Sequence, residues 1–224
     1  MAAENVATLY GISRKQQDAY TARSYERAFV AEQEGRFRQE KIKEHRHLAD
    51  EGIRQVSERL LKRMPSISGP TGSVTAANSC AKSDGAAAVL VMSKEACERL
   101  GFDPIVTFID GASAGCDPNL ASLSPVPAIR KLFCRQKLTV DQVDLIEWNE
   151  AYAAQMVACS QELKVDINKL NRSGGALTLG HPYGASGAIN VVRLVHEMAN
   201  SGAEIGLSTV GAAGGNGTAA LFRK

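Results

Sequence analysis

The chain has 224 residues, 44% of them hydrophobic and 22% charged, with a net charge of +2 at pH 7. That is globular composition; it excludes wholesale disorder and collagen-like repeats, and it is too balanced to call for a nucleic-acid partner. Eleven of the 20 glycines lie between Gly174 and Gly217, the first sign of a site built from backbone.

Residues 1–63 read as helical. Ser13 with Gln16 resembles a capping box, and Ala19, Ala22, Tyr25, Ala28 and Phe29 recur at helical spacing after it. The same region holds 13 of the 26 Lys+Arg residues, and Arg36–Arg46 is locally basic. A solvated helical face explains such a stretch better than a landing surface for a phosphorylated ligand. Met64–Gly72, rich in Pro, Gly and Ser, is a linker. Ala86–Met92 is a candidate buried strand or buried helix, and Lys94–Leu100 a short helix ended by Gly101.

Pro104–Ile109 reads as a strand and Gly111–Pro127 as a long loop. Ala128–Lys137 is a basic helix, and Thr139 with Gln142 is a second capping box. Val143–Glu147 is a strand, Glu150–Leu163 a helix and Gly187–Asn200 another. Ala203–Val210 and Thr218–Phe222 close the chain as two strands around a Gly-rich turn. Alternation of strand and helix implies a layered α/β domain from about residue 101 onward.

The five cysteines are odd in number and 17 or more residues apart, with no CxxC. A disulfide framework or a metal site is therefore not expected. No apolar signal-like segment opens the chain, and Ala86–Met92 is too short to span a bilayer. A cytoplasmic, reducing compartment and no membrane partner are the expectation.

Three segments carry candidate chemistry. In Gly174–Gly187, His181 is held between Gly180 and Pro182 ahead of a helix, where proton transfer is a natural role. The segment lacks the GxxxxGK[ST] and GxGxxG phosphate signatures, so a nucleotide-binding domain is weakly supported. In Trp148–Gln155, Asn149 sits at a strand-to-helix junction, where a helix cap and a carbonyl-polarising amide are both open readings. In Ser208–Gly217, successive small residues offer backbone N–H groups for an oxyanion hole, and the segment looks longer and richer in glycine than a tight hairpin needs.

Asn149-Glu-Ala-Tyr-Ala-Ala-Gln155, Gly174–Gly187 and Gly211-Ala-Ala-Gly-Gly-Asn-Gly217 together resemble the C-terminal portion of thiolases. Val74-Thr-Ala-Ala-Asn, Asp84-Gly-Ala-Ala-Ala-Val and Pro125-Val-Pro-Ala-Ile-Arg130 resemble further thiolase segments, in order. The resemblance implies a layered α/β/α fold: a partial helical loop domain over 1–73, a remnant of the N-terminal half over 74–100 and a C-terminal domain over 101–224. It implies acyl transfer on acetyl-CoA, acetoacetyl-CoA or another 3-ketoacyl-CoA, with coenzyme A thioester as substrate and no permanently bound cofactor. By the same likeness His181 activates a nucleophilic cysteine, Asn149 holds a water in the oxyanion hole, and Ala213 gives an N–H to a second hole. Arg54, Ala76, Cys80, Ala151 and Tyr152 fall where thiolases line the coenzyme A channel.

Two departures shape the expectation. None of the five cysteines lies in the thiolase nucleophile motif, so the N-terminal segment that bears it is expected to be absent. Gly211 stands where an acid/base cysteine is usual. The expected protein is a homo-oligomeric thiolase-type acyltransferase inactive alone, either a truncated product or half of a split enzyme completed by a separate N-terminal thiolase half. The alternative is a non-catalytic module that binds coenzyme A or a partner.

Overall fold

The computed structural model describes residues 1–42 and 50–224. The part of the basic stretch from Lys43 to Arg46 lies outside the described residues. Helices α1 (Ala2–Leu9), α2 (Arg14–Gln33) and α3 (Glu58–Arg63) form the N-terminal region. The Ser13–Gln16 capping box is present at the start of α2. The buried face of α2 includes the expected Tyr25 and Ala28 but is otherwise more polar than expected. It runs through Gln17, Tyr20, Thr21, Ser24 and Ala28, while Ala19 faces solvent. Gln17 Nε2, Tyr20 Oη and Ser24 Oγ are buried there with partners elsewhere in the fold, on Ser73 and Glu150.

After the short helix α4 (Lys94–Leu100), a four-stranded sheet forms from β1 (Thr107–Gly115), β2 (Leu145–Trp148), β3 (Ile205–Ala212) and β4 (Asn216–Arg223), in the order β1-β4-β3-β2. The β2–β3 pair is parallel and the other two pairs are antiparallel. Helices α5 (Pro125–Gln136) and α6 (Ala153–Leu163) cover one face, and α8 (Ser186–Ser201) covers the other; the single turn α7 (Ala176–Leu179) precedes α8. Strand β2 shows why both faces need cover. Ile146 and Trp148 pack toward α5 and α6, while Leu145 packs with Leu194 and Met198 of α8. All four β2 residues are buried, as a strand between two helical layers requires. Helices α1 and α2 dock on this unit, where Ala3, Val6 and Ile12 pack with Ala154 and Ala158 of α6.

Three expectations are corrected. The strand expected at 104–109 lies at Thr107–Gly115, so the first five residues of the expected loop are strand. Its small residues Gly111-Ala-Ser-Ala-Gly115 carry no apolar alternation, and pairing with β4 decides their state. Helix α5 begins earlier than expected, with Pro125 at its first position, where the missing N–H would have no partner anyway. Ala86–Met92 is neither a buried strand nor a helix. It is extended and lies outside every ladder, with Leu90 77% and Val91 81% exposed.

Candidate active site

Asn149 follows directly on β2, and its N–H donates to the Thr209 carbonyl of β3 at 3.0 Å. It does not cap α6, whose N-cap is Tyr152. The helix-cap reading of Asn149 is thereby removed. Its amide is 2% exposed, and Nδ2 lies 3.4 Å from His181 Nε2. The two residues, 32 apart in sequence, are thus brought together by the fold.

Segment 79–82 holds them in register. Ser79 bridges Tyr152, and the Cys80 N–H donates to the Ala151 carbonyl at 3.0 Å. The His181 N–H then donates to the Ala81 carbonyl at 2.9 Å. Gly180 makes the approach possible: its φ is +87°, and a Cβ there would fall 2.5 Å from Ser83 Oγ.

The tautomer of His181 follows from its second nitrogen. Ser186 Oγ donates its single proton to the Pro182 carbonyl at 3.0 Å. With its proton on that carbonyl, it is the acceptor for a proton on His181 Nδ1, 2.5 Å away. Nε2 is left unprotonated beside the Asn149 amide. Burial lowers the His181 pKa below its ordinary 6.5, so the neutral form prevails at pH 7. The ring also meets Tyr183 edge-to-face at 4.8 Å, with the Lys82 ammonium 6.0 Å from the Tyr183 ring.

Glu150, next to Asn149, is 1% exposed and anchors the surroundings. It accepts hydrogen bonds from Tyr20 Oη at 2.8 Å, Ser24 Oγ at 2.6 Å, Asn171 Nδ2 at 2.8 Å and the Leu177 N–H at 3.3 Å. One carboxylate thus ties α2, the turn at Asn171 and the Gly-rich segment to the Asn149 junction. Gly175 allows the approach, since a Cβ there would lie 2.5 Å from Glu150 Cδ.

The third segment is a tight hairpin after all. Ala212 pairs with Asn216, and Ala213, Gly214 and Gly215 form the turn, both glycines at positive φ. Ala213 is exposed at its tip. Gly211 lies two residues beyond Thr209, the partner of Asn149, at the same end of the sheet. Of the other expected residues, Cys80, Ala151 and Tyr152 come together through the 79–82 bridges. Ala76 is exposed at the turn just before them. Arg54 stands apart, exposed, its guanidinium 6.0 Å from the Tyr25 ring. Burial pushes the Cys80 thiol up to about 11, so it stays protonated at neutral pH. No cysteine sulfur hydrogen-bonds to His181 among the described residues.

Tyr20, Ser24, Glu150 and Ser186 were not singled out from the sequence. Ser186 sits five residues after His181, a spacing that puts it on the first turn of the following helix. Glu150 lay inside a quoted motif, but a carboxylate in sequence does not reveal that it will be buried.

The family model described as the thiolase N-terminal domain matches residues 1–95, and that of the thiolase C-terminal domain matches 102–224. The chain belongs to the thiolase family. The expectation of a C-terminal portion only is corrected, because part of the N-terminal thiolase domain is present as well. Among similar thiolases is VraB of Staphylococcus aureus (strain MRSA252), 42% identical over 228 residues, which cover 99% of this chain and 59% of the relative. YhfS of Bacillus subtilis (strain 168) is 42% identical over 226 residues, covering 99% of this chain and 62% of the relative. Both bear acetyl-CoA C-acetyltransferase as a provisional name. The crystal structure of the Bacillus anthracis acetyl-CoA acetyltransferase superposes with a TM-score of 0.94 at 35% identity, over 99% of this chain and 59% of that one. Human mitochondrial 3-ketoacyl-CoA thiolase in complex with CoA gives 0.93 at 32% identity, over 100% of this chain and 58% of that one. The chain therefore spans about three fifths of the length of the thiolases it matches.

Proposed function

We propose that the chain forms the His181/Asn149 part of a thiolase-type acyltransferase site for acyl-CoA thioesters, with acetyl-CoA and acetoacetyl-CoA as first candidates. The observation that carries this reading is the approach of His181 Nε2 to Asn149 Nδ2, 3.4 Å apart. With Nδ1–H committed to Ser186, Nε2 is a neutral base facing the site. It takes the proton of a nucleophilic thiol, and the resulting Nε2–H then donates to the oxygen of the thioester under attack. Asn149 Nδ2 supplies a second donor at the same oxygen, directly or through a water. The Ala213 N–H at the hairpin tip serves a second oxyanion hole. Ala76, Cys80, Ala151 and Tyr152 line the path of the pantetheine arm. Arg54 meets the polar end of coenzyme A.

The nucleophile belongs outside these 224 residues in this reading. The five cysteines make no hydrogen bond to His181 among the described residues, and the protonated Cys80 thiol is a poor nucleophile. A polypeptide carrying an N-terminal thiolase half supplies it, in a homo-oligomeric cytoplasmic enzyme with no permanent cofactor or metal. Among the described residues no helix is long and apolar enough to cross a membrane. A non-catalytic module that binds coenzyme A is the second reading, and the bare backbone at Gly211 favours it.

Acetoacetyl-CoA thiolysis separates the readings. The chain alone is expected to show no turnover, and turnover is expected on adding an N-terminal thiolase half. Turnover by the chain alone would overturn the assignment of the nucleophile. Binding of coenzyme A in calorimetry with no turnover in either assay selects the binding module.

A further inference from the structure

Ser124 is wholly buried at the N-cap of α5. A serine there ordinarily accepts a hydrogen bond from the backbone of the second or third helical residue. The third residue is Pro127, which has no N–H, and the Ser124 side chain caps nothing. Its Oγ is buried without a hydrogen-bond partner among the described residues. Neither capping nor pairing accounts for this hydroxyl, and its desolvation is unfavourable.

Its neighbours give it a different meaning. A Cβ on Gly211 would lie 2.8 Å from Ser124 Oγ and 3.3 Å from Cδ and Cγ of Pro125. Gly217 is the register partner of Gly211, and a Cβ there would overlap the Ser124 carbonyl oxygen. The Ser124 backbone is thus seated against Gly217 while its side chain faces Gly211. Relief for a new side chain at 211 has to come from the hydroxyl, because the backbone has no room to retreat.

We propose that Ser124 and Gly211 are a matched pair, in which the serine fills from α5 the space that a side chain at 211 would take from β3. Gly211 as the usual place of an acid/base thiol rests on the thiolase reading above. Given that reading, Ser124 determines the chemistry of the position. A side chain at 211, a thiol included, would be crowded from α5 and would have to displace the Ser124 hydroxyl.

A double-substitution cycle on the full chain tests the pair. Gly211→Ala and Gly211→Cys are each made with Ser124 and with Ser124→Ala, and thermal unfolding is measured. With Ser124 kept, both substitutions at 211 are expected to lower the midpoint by several degrees. In the Ser124→Ala background the drop should be less than half as large. Equal losses in the two backgrounds would overturn the proposal, as would no loss with Ser124 or a failure to fold in both. Coenzyme A calorimetry on the parent chain is read separately. A parent that fails to bind loses the thiolase reading, while the coupling between 124 and 211 stands or falls on the midpoints.

Discussion

Ser186 Oγ lies 3.0 Å from the Pro182 carbonyl and 2.5 Å from His181 Nδ1, and a proton given to the carbonyl leaves it as the acceptor for Nδ1–H. Ser186→Ala removes the acceptor for Nδ1–H and frees the ring to change tautomer. Nitrogen-15 NMR should then show Nε2–H at neutral pH. Activity reconstituted with an N-terminal thiolase half should fall about tenfold, equivalent to about one hydrogen bond. An unchanged tautomer would remove Ser186 from this role. The His181 pKa is lowered by burial, so its folded value lies below the unfolded one. Protonation therefore favours the unfolded state: the stability is complete above the ordinary imidazole range and is lost as pH falls through 6.5 toward the folded value. An NMR titration should place His181 below 6.5. Glu150 carries a larger structural burden, because its carboxylate serves donors from α2, the Asn171 turn and the Gly-rich segment. Glu150→Gln turns one oxygen into a donor that faces other donors. It should cost about 2–4 kcal/mol in denaturant unfolding; a loss under about 0.5 kcal/mol would make the network dispensable.

At the level of elements, β2 shows how far alternation carries and where it stops. Leu145, Ile146 and Trp148 divide between the two covered faces as an apolar strand should. Glu147 is buried in the same run, and burial pushes its carboxyl well above the ordinary range; Glu197 and Glu40 add to the effect and Arg193 opposes it. Arg193 itself is held by Glu40 at 2.6 Å and stacks on Phe37 at 4.6 Å. Because the folded pKa of Glu147 lies above its unfolded value, the stability it contributes is complete below 4.5 and is lost as pH rises through the folded value. Glu147→Gln should therefore raise the thermal midpoint at pH 8 and leave it nearly unchanged at pH 4.5. A midpoint lowered at pH 8 would show that the ionised carboxylate is needed by Arg193. Strand β1 is the opposite case: its run of Gly, Ala and Ser is silent in sequence, and the ladder to β4 makes it a strand.

Across the whole molecule, exposed apolar side chains are densest between residues 89 and 109. Val89, Leu90, Val91, Leu100, Phe102, Ile105, Phe108 and Ile109 are all exposed, and β1 pairs on one side only among the described residues. Exposed apolar side chains on and near an open strand edge favour association. Size-exclusion chromatography of the purified chain should show oligomers or aggregates, or a heteromer once an N-terminal thiolase half is added. A compact, cooperatively unfolding monomer would refute this.

The sequence by itself determined the family, the strand–helix alternation, both capping boxes and the segments that hold Asn149, His181 and Gly211. Those features are local: capping, turn chemistry and motif spacing act within a few residues, so they can be read along the chain. The tertiary structure alone decided that Asn149 faces His181 rather than capping a helix. It also decided that Ser186 Oγ meets His181 Nδ1, that a buried Glu150 joins α2 to the site, and that Ser124 stands against Gly211. Each of these is a contact between distant segments, or the state of a polar group set by what buries it. Neither leaves a period or a spacing in the sequence, because burial and pairing are properties of the packed whole.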